Sequence, residues 1–165
     1  MTVQKVLNNN VVIGLNDSNK EIILMGNGIG FGRKKGDYIN CNIAEKCFQL
    51  SDSVKMKFES IIQNVAYDNM MIAEEVITYA KEVKGLKLSD VIYITLTDHL
   101  NFAIERHRDK MDFKNDLLKE IEEKYPKEFQ TGLKALEIIK ERISMQLWKD
   151  EAAFIAMHIV NTEIE

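Results

Sequence analysis

The stretch LSDVIYITLTDHLNFAIERH, residues 88–107, decides the reading of the whole chain. Ile92, Leu96 and Ala103 recur at three- and four-residue spacing, which predicts an amphipathic helix. His99 falls on the same stripe, where a core residue belongs. The surrounding sequence has to explain a titratable ring in that place.

Working outward from this helix, the C-terminal two thirds of the chain repeat its pattern. VKMKFESIIQNV (54–65), NMMIAEEVITYAKEV (69–83), FKNDLLKEIEEKY (113–125), FQTGLKALEIIKERI (129–143) and DEAAFIAMHIVNTEI (150–164) all carry apolar residues at helical spacing. Ser89 suits an N-cap, and Asp150 with Glu151 suits a helix N-terminus. Pro126, the sole proline, divides two of these helices. The N-terminal part reads differently. VQKVL (3–7), VVIGL (11–15), EIILM (21–25) and KCFQL (46–50) are short, β-branched runs, and the first three are separated by turn compositions such as NNN and NDSNK. The expected fold class is therefore α+β in two domains. A small antiparallel four-stranded sheet (residues 1–55) precedes an all-α helical bundle (residues 56–165). A sheet of that size buries little apolar surface by itself, which favours pairing with a second copy.

Charge divides at the same point as the pattern. Residues 1–55 hold seven Lys/Arg against five Asp/Glu, whereas residues 56–165 hold fifteen against twenty-one. Six of the eight glycines fall within the first 36 residues. The start MTVQKVLNNN lacks the apolar stretch of a signal peptide, and no apolar run is long enough to cross a bilayer, so a cytoplasmic location is expected. Cys41 and Cys47 form no C-x-x-C and have no nearby histidine, and they read as reduced packing residues.

The glycine-rich segment MGNGIGFGRKKG (25–36) does not fit a dinucleotide fingerprint. Phe31 or Arg33 stands where the last glycine is needed, and no βαβ unit follows. What it does supply is close backbone approach, one aromatic face at Phe31, and the cations Arg33, Lys34 and Lys35. Those parts can stack an unpaired base and hold phosphates, and they are equally compatible with a solvated hairpin turn. Lys5 and Asn8 to Asn10 add further polar groups.

Of the three histidines, His99 and His107 are eight residues apart, about 12 Å along one helix, and cannot share a metal ion. His158 lies in the apolar run FIAMHIV. A single histidine on an apolar face is ordinarily a satisfied structural residue, but two on different helices weaken that default. No serine or cysteine sits in a reactive setting, so no catalytic residue is assigned. Asp98 beside His99, with His158, leaves one enzymatic alternative open, a helical metal-dependent phosphohydrolase with a β appendage, although its further ligands are not apparent.

KVLNNNVV (5–12), GNGIGF (26–31), LTDHLNFAIER (96–106) and DEAAFIAMHIVN (150–161), in that order, closely resemble the BglG/SacY/LicT family of transcriptional antiterminators over essentially the whole chain. The resemblance implies a co-antiterminator RNA-binding domain acting as a homodimer, followed by a PTS-regulation domain. In the family the dimer grips an mRNA hairpin and prevents an overlapping terminator from forming. Carried across by position, the RNA contacts are Lys5, Asn10, Gly26, Asn27, Gly28 and Phe31, and the phosphorylated histidines are His99 and His158. His107 matches no such position and reads as surface. The implied partners are the mRNA hairpin, a second copy, and a sugar permease with the phosphocarrier protein of the phosphotransferase system. DNA binding, membrane insertion, a metal and a cofactor are not implied. A phosphoryl group brings about two negative charges into apolar surroundings, so phosphorylation is expected to repel across a two-fold contact, unless Arg106 or Arg108 pairs with it. Two departures stand out. Asn27 occupies a position where many relatives carry a cation, and the chain ends at HIVNTEIE, where the family places a second regulation domain. A two-domain fragment and a naturally short member both fit that ending.

Overall fold

A computed structural model describes all residues 1–165. The expected fold class stands. Four antiparallel strands are followed by six α-helices, and the chain divides into two compact units, Met1–Asn64 and Val65–Glu165.

In the first unit, β1 (Thr2–Asn8), β2 (Val11–Leu15), β3 (Glu21–Met25) and β4 (Lys46–Phe48) form a meander in sequence order. Tight Asn-rich turns join the first three, because Asn side chains bond the backbone locally. Asn8 Oδ1 accepts from the Asn10 amide, and Asn16 Oδ1 accepts from the amides of Ser18 and Lys20. Both faces of the central strands are buried, so β2 and β3 read as continuous apolar runs rather than as alternations. On one face Val3, Val12 and Leu24 pack with Ile29 and Ile39 from the long segment between β3 and β4. That segment folds back along β1, with Ile39 N–H donating to Met1 O at 2.8 Å and Val3 N–H to Asp37 O at 2.8 Å. The opposite face lies under α1 (Asp52–Ile61): Phe48 meets Phe58 edge-to-face at 5.8 Å, and Val54, Phe58 and Ile62 are buried. Lys55 pairs with Glu21, Lys5 with Glu59 at 2.8 Å, and Gln63 donates to Leu7 O. The helix over 54–65, grouped with the bundle on periodicity, thus packs with the sheet. The sheet needs a cover, and α1 follows β4 closely enough to supply it.

The second unit contains α2 (Tyr67–Thr78, continued by a π turn over Tyr79–Val83), α3 (Ile92–Arg108), α4 (Leu118–Lys124), α5 (Pro126–Ile143) and α6 (Lys149–Thr162). Pro126 opens α5 at its first turn, where a missing N–H costs nothing, and Ser144 ends the helix with φ 54°. Gly132 lets α5 approach α6 closely, since a Cβ there would stand 2.1 Å from Ala152 O. Arg142 ties α5 to α2 through Asp68 and Glu75. Two expectations need correction. Ser89 does not cap α3, which starts three residues later, because residues 89–91 form a turn whose Ser89 O accepts from the Ile92 amide. The helix expected over 113–125 begins only at Leu118. Before it, Asn115 N–H donates to Asp150 Oδ2 and Asn115 Oδ1 accepts from Leu117 N–H, a local arrangement that competes with helix. No helix is long and apolar enough to cross a membrane.

Candidate functional site

Each unit gathers its own set of the residues singled out in the sequence. In the first, the turn between β1 and β2 grips the glycine segment. Gly26 N–H donates to Asn10 O at 3.0 Å, Gly30 N–H to Asn9 O at 2.9 Å, and Gly28 N–H to Asn10 Oδ1 at 2.8 Å. Gly30 is required by this contact, since a Cβ there would lie 2.2 Å from Asn8 O. Gly28 and Gly32 have φ of 72° and 68°, in the left-handed region that glycine enters freely. The result is a compact loop from which Phe31 projects, 75% exposed and unsupported by any core. Asn27 and Gly28 are exposed beside it, while Gly26 is buried. Lys5 is exposed but paired with Glu59.

Arg33 departs from its expected role. Its Nε donates to Ile29 O and its Nη1 to Tyr38 O, so it braces the segment from within rather than standing as a free cation. Lys34 and Lys35 remain exposed. Tyr38, which the sequence reading passed over, is a second exposed aromatic at 74%.

In the second unit, α3 and α6 bring His99 and His158 together, with ring centroids 4.5 Å apart and ring planes tilted by 41°. Both rings are partly buried rather than sealed. His99 Nε2 lies 3.0 Å from Glu151 Oε2, and Glu151 Oε1 accepts from Arg106 Nη2 at 3.1 Å. Glu151 is 2% exposed and Arg106 8%. The Arg106 guanidinium packs on the rings of Phe102 and Phe113, at 5.2 and 4.3 Å, and its Nε and Nη1 have no hydrogen-bond partner. Burial, then the neighbouring His99, push the His158 pKa down to about 4, against opposing pulls from Glu151 and Asp98. His158 is therefore neutral at physiological pH. His107 lies apart from the pair, bonded through Nδ1 to Asp112 at 2.8 Å. Arg108 is exposed.

Glu151 lies in the first turn of α6, as its charge led one to expect, but its second role, joining His99 to Arg106, was not read from the sequence. A signal for it was available. Glu151 precedes His158 by seven residues, as His99 precedes Arg106, so each pair shares a helix face over two turns. Asp98 is exposed, and no three His, Cys, Asp or Glu side chains converge to hold a metal ion. The phosphohydrolase alternative thus lacks the ligand set its chemistry needs.

The sheet unit thus presents an exposed aromatic on a glycine loop, and the helical unit that follows it carries a paired-histidine cluster. Residues 1–57 match the CAT RNA binding domain and residues 74–162 match the PRD domain. The chain is 43% identical to transcription antiterminator LicT of Bacillus subtilis (strain 168), across 99% of this chain and 60% of that protein. It is 41% identical to the beta-glucoside operon antiterminator of Dickeya chrysanthemi, across 100% of this chain and 59% of that one. The crystal structure of GlcT CAT-PRDI superposes with a TM-score of 0.86 at 34% identity, covering 99% of this chain and 98% of the other. The chain belongs to the transcription antiterminator family that joins a CAT RNA binding domain to a PRD domain. It spans about 60% of the length of the curated relatives named here. Those relatives are named as regulators rather than as enzymes.

Proposed function

We propose that this chain is the RNA-binding and first regulatory part of a cytoplasmic, sugar-responsive transcription antiterminator. As a homodimer, its first unit binds a hairpin in nascent mRNA and so prevents an overlapping terminator hairpin from forming. Phe31 stacks on an unpaired base of the hairpin, Asn27 and Gly28 lie exposed beside it, Asn10 and buried Gly26 contribute by holding the loop in shape through their own hydrogen bonds, and Lys5 exchanges Glu59 for phosphate. The observation that carries this reading is Phe31 itself. It is a three-quarters exposed aromatic held rigidly on a glycine loop, where burial offers no reason for it.

The second unit supplies the control. A sugar permease and the phosphocarrier protein of the phosphotransferase system phosphorylate His99 and His158. A phosphoryl group on either ring adds about two negative charges next to buried Glu151 and into the packed contact between α3 and α6. That contact must rearrange, and the dimer weakens with it. Arg106 gives only Nη2 to Glu151, so its charge is already partly offset by that carboxylate while its Nε and Nη1 carry no partner. Asn27 hydrogen-bonds RNA without neutralising phosphate, which predicts a shallower salt dependence than a cation at that position would produce.

A gel-shift titration at fixed salt against a short hairpin with internal loops tests the RNA reading. The chain should bind the hairpin more tightly than a scrambled duplex. Phe31→Ala should lose about 1–3 kcal/mol of affinity while leaving thermal stability unchanged. Equal binding of the hairpin by the wild type and Phe31→Ala would remove Phe31 from the interface.

A further inference from the structure

We infer that Glu151 is a positioning residue that selects the nitrogen of His99 on which phosphorylation occurs: it holds Nε2 as an N–H donor and leaves Nδ1 as the phosphoryl acceptor. This rests on the phosphorylation of His99 proposed above and adds the atom at which it happens.

The geometry runs from the aromatic end inward. Arg106 carries only donors, and its guanidinium is held on Phe102 and Phe113. Its Nη2 donates to Glu151 Oε1, which commits that oxygen and keeps the group a carboxylate, able only to accept. The hydrogen in the 3.0 Å contact between His99 Nε2 and Glu151 Oε2 therefore belongs to the histidine. A neutral imidazole with its proton on Nε2 carries its nucleophilic lone pair on Nδ1. Burial of Glu151 at 2% exposure prevents water from substituting for the carboxylate, so the tautomer is set by the fold.

The transfer balances without a proton acceptor. The Nδ1 lone pair of His99 attacks the phosphorus of a phosphohistidine or phosphocysteine on the donor protein. The Nδ1–P bond forms as the donor's P–N or P–S bond breaks, and that electron pair returns to the donor atom. Nε2 keeps its proton throughout, and the Glu151 carboxylate offsets the positive charge that the ring acquires.

Long-range 15N–1H correlation with 31P spectroscopy distinguishes the two isomers of phosphohistidine, and the full chain phosphorylated by a phosphotransferase donor is the sample. The expected result is the Nδ1 isomer at His99. The Nε2 isomer there would overturn the inference while leaving phosphorylation intact, whereas absence of phosphoryl at His99 would overturn the regulatory reading and this inference with it. In Glu151→Gln the amide donates or accepts, so both tautomers become available. Incorporation at His99 should slow about tenfold or more, with Nε2 isomer appearing in the product. An unchanged rate with pure Nδ1 product would remove Glu151 from the role, and the wild-type spectrum decides the acceptor atom even where the variant misfolds.

Discussion

A phosphoryl group on His99 is expected to exclude a second one from His158. The two ring centroids are 4.5 Å apart, so the two phosphorus atoms in a doubly modified domain would lie on the order of 7 Å from one another. With roughly two negative charges on each group and an effective dielectric constant near 20, their repulsion amounts to about 9 kcal/mol. Partial exposure of both rings admits solvent and counterions, and halving the figure for screening leaves about 4–5 kcal/mol, on the order of a thousandfold in equilibrium. Glu151 adds a third negative group against His99. Intact-protein mass spectrometry at mildly basic pH, after exhaustive incubation with phosphoenolpyruvate and the general phosphotransferase proteins, reads the stoichiometry directly. A His107→Gln background confines the count to the pair. The expected outcome is a plateau at one phosphoryl group per chain, with His99→Ala and His158→Ala each still able to take one. A doubly modified species as abundant as the singly modified one would refute the reasoning, because it would mean that the rings separate at little cost.

Three further outcomes follow from particular contacts. Gly132→Ala should destabilise the helical unit by at least about 1–3 kcal/mol in chemical denaturation, since the new methyl meets the Ala152 backbone rather than a side chain that could turn aside. Gly30→Ala should disrupt the loop that carries Phe31, where the obstacle is Asn8 O, and a gel shift should show hairpin binding lost together with the amide protection of residues 26–30. The depressed pKa of His158 gives its contribution a definite sign. Between the unfolded value near 6.5 and the folded value of about 4, the unfolded chain binds more protons. Stability of the helical unit should therefore be full above pH 6.5 and fall as the pH drops through that window. In His158→Gln this part of the slope should vanish, and an unaltered pH profile would show that His158 titrates normally.

Much of this protein was legible in its sequence. The β-branched runs between Asn-rich turns specify strands locally, and three- and four-residue apolar spacing specifies helices, because both signals come from near neighbours in the chain. The residues of the loop carrying Phe31 were partly readable for the same reason: Gly28 and Gly32 act on their own backbone, whereas Gly30 is required by the approach of Asn8 O. Tertiary structure alone decided the rest. Nothing in residues 54–65 distinguishes a helix that covers a sheet from one that joins a bundle. The outcome depended on an apolar sheet face left open beside it. Arg33 looked like a free cation until the carbonyls of Ile29 and Tyr38 claimed it. The histidine cluster is the clearest case. His99 and Glu151 are 52 residues apart, and Arg106 reaches Glu151 from 45 residues away. Their meeting depends on the packing of α3 against α6 and on burial that strips water from their charges. Chain-local patterns determine which side chains a helix presents, but only the packed fold determines which of them face each other without water between.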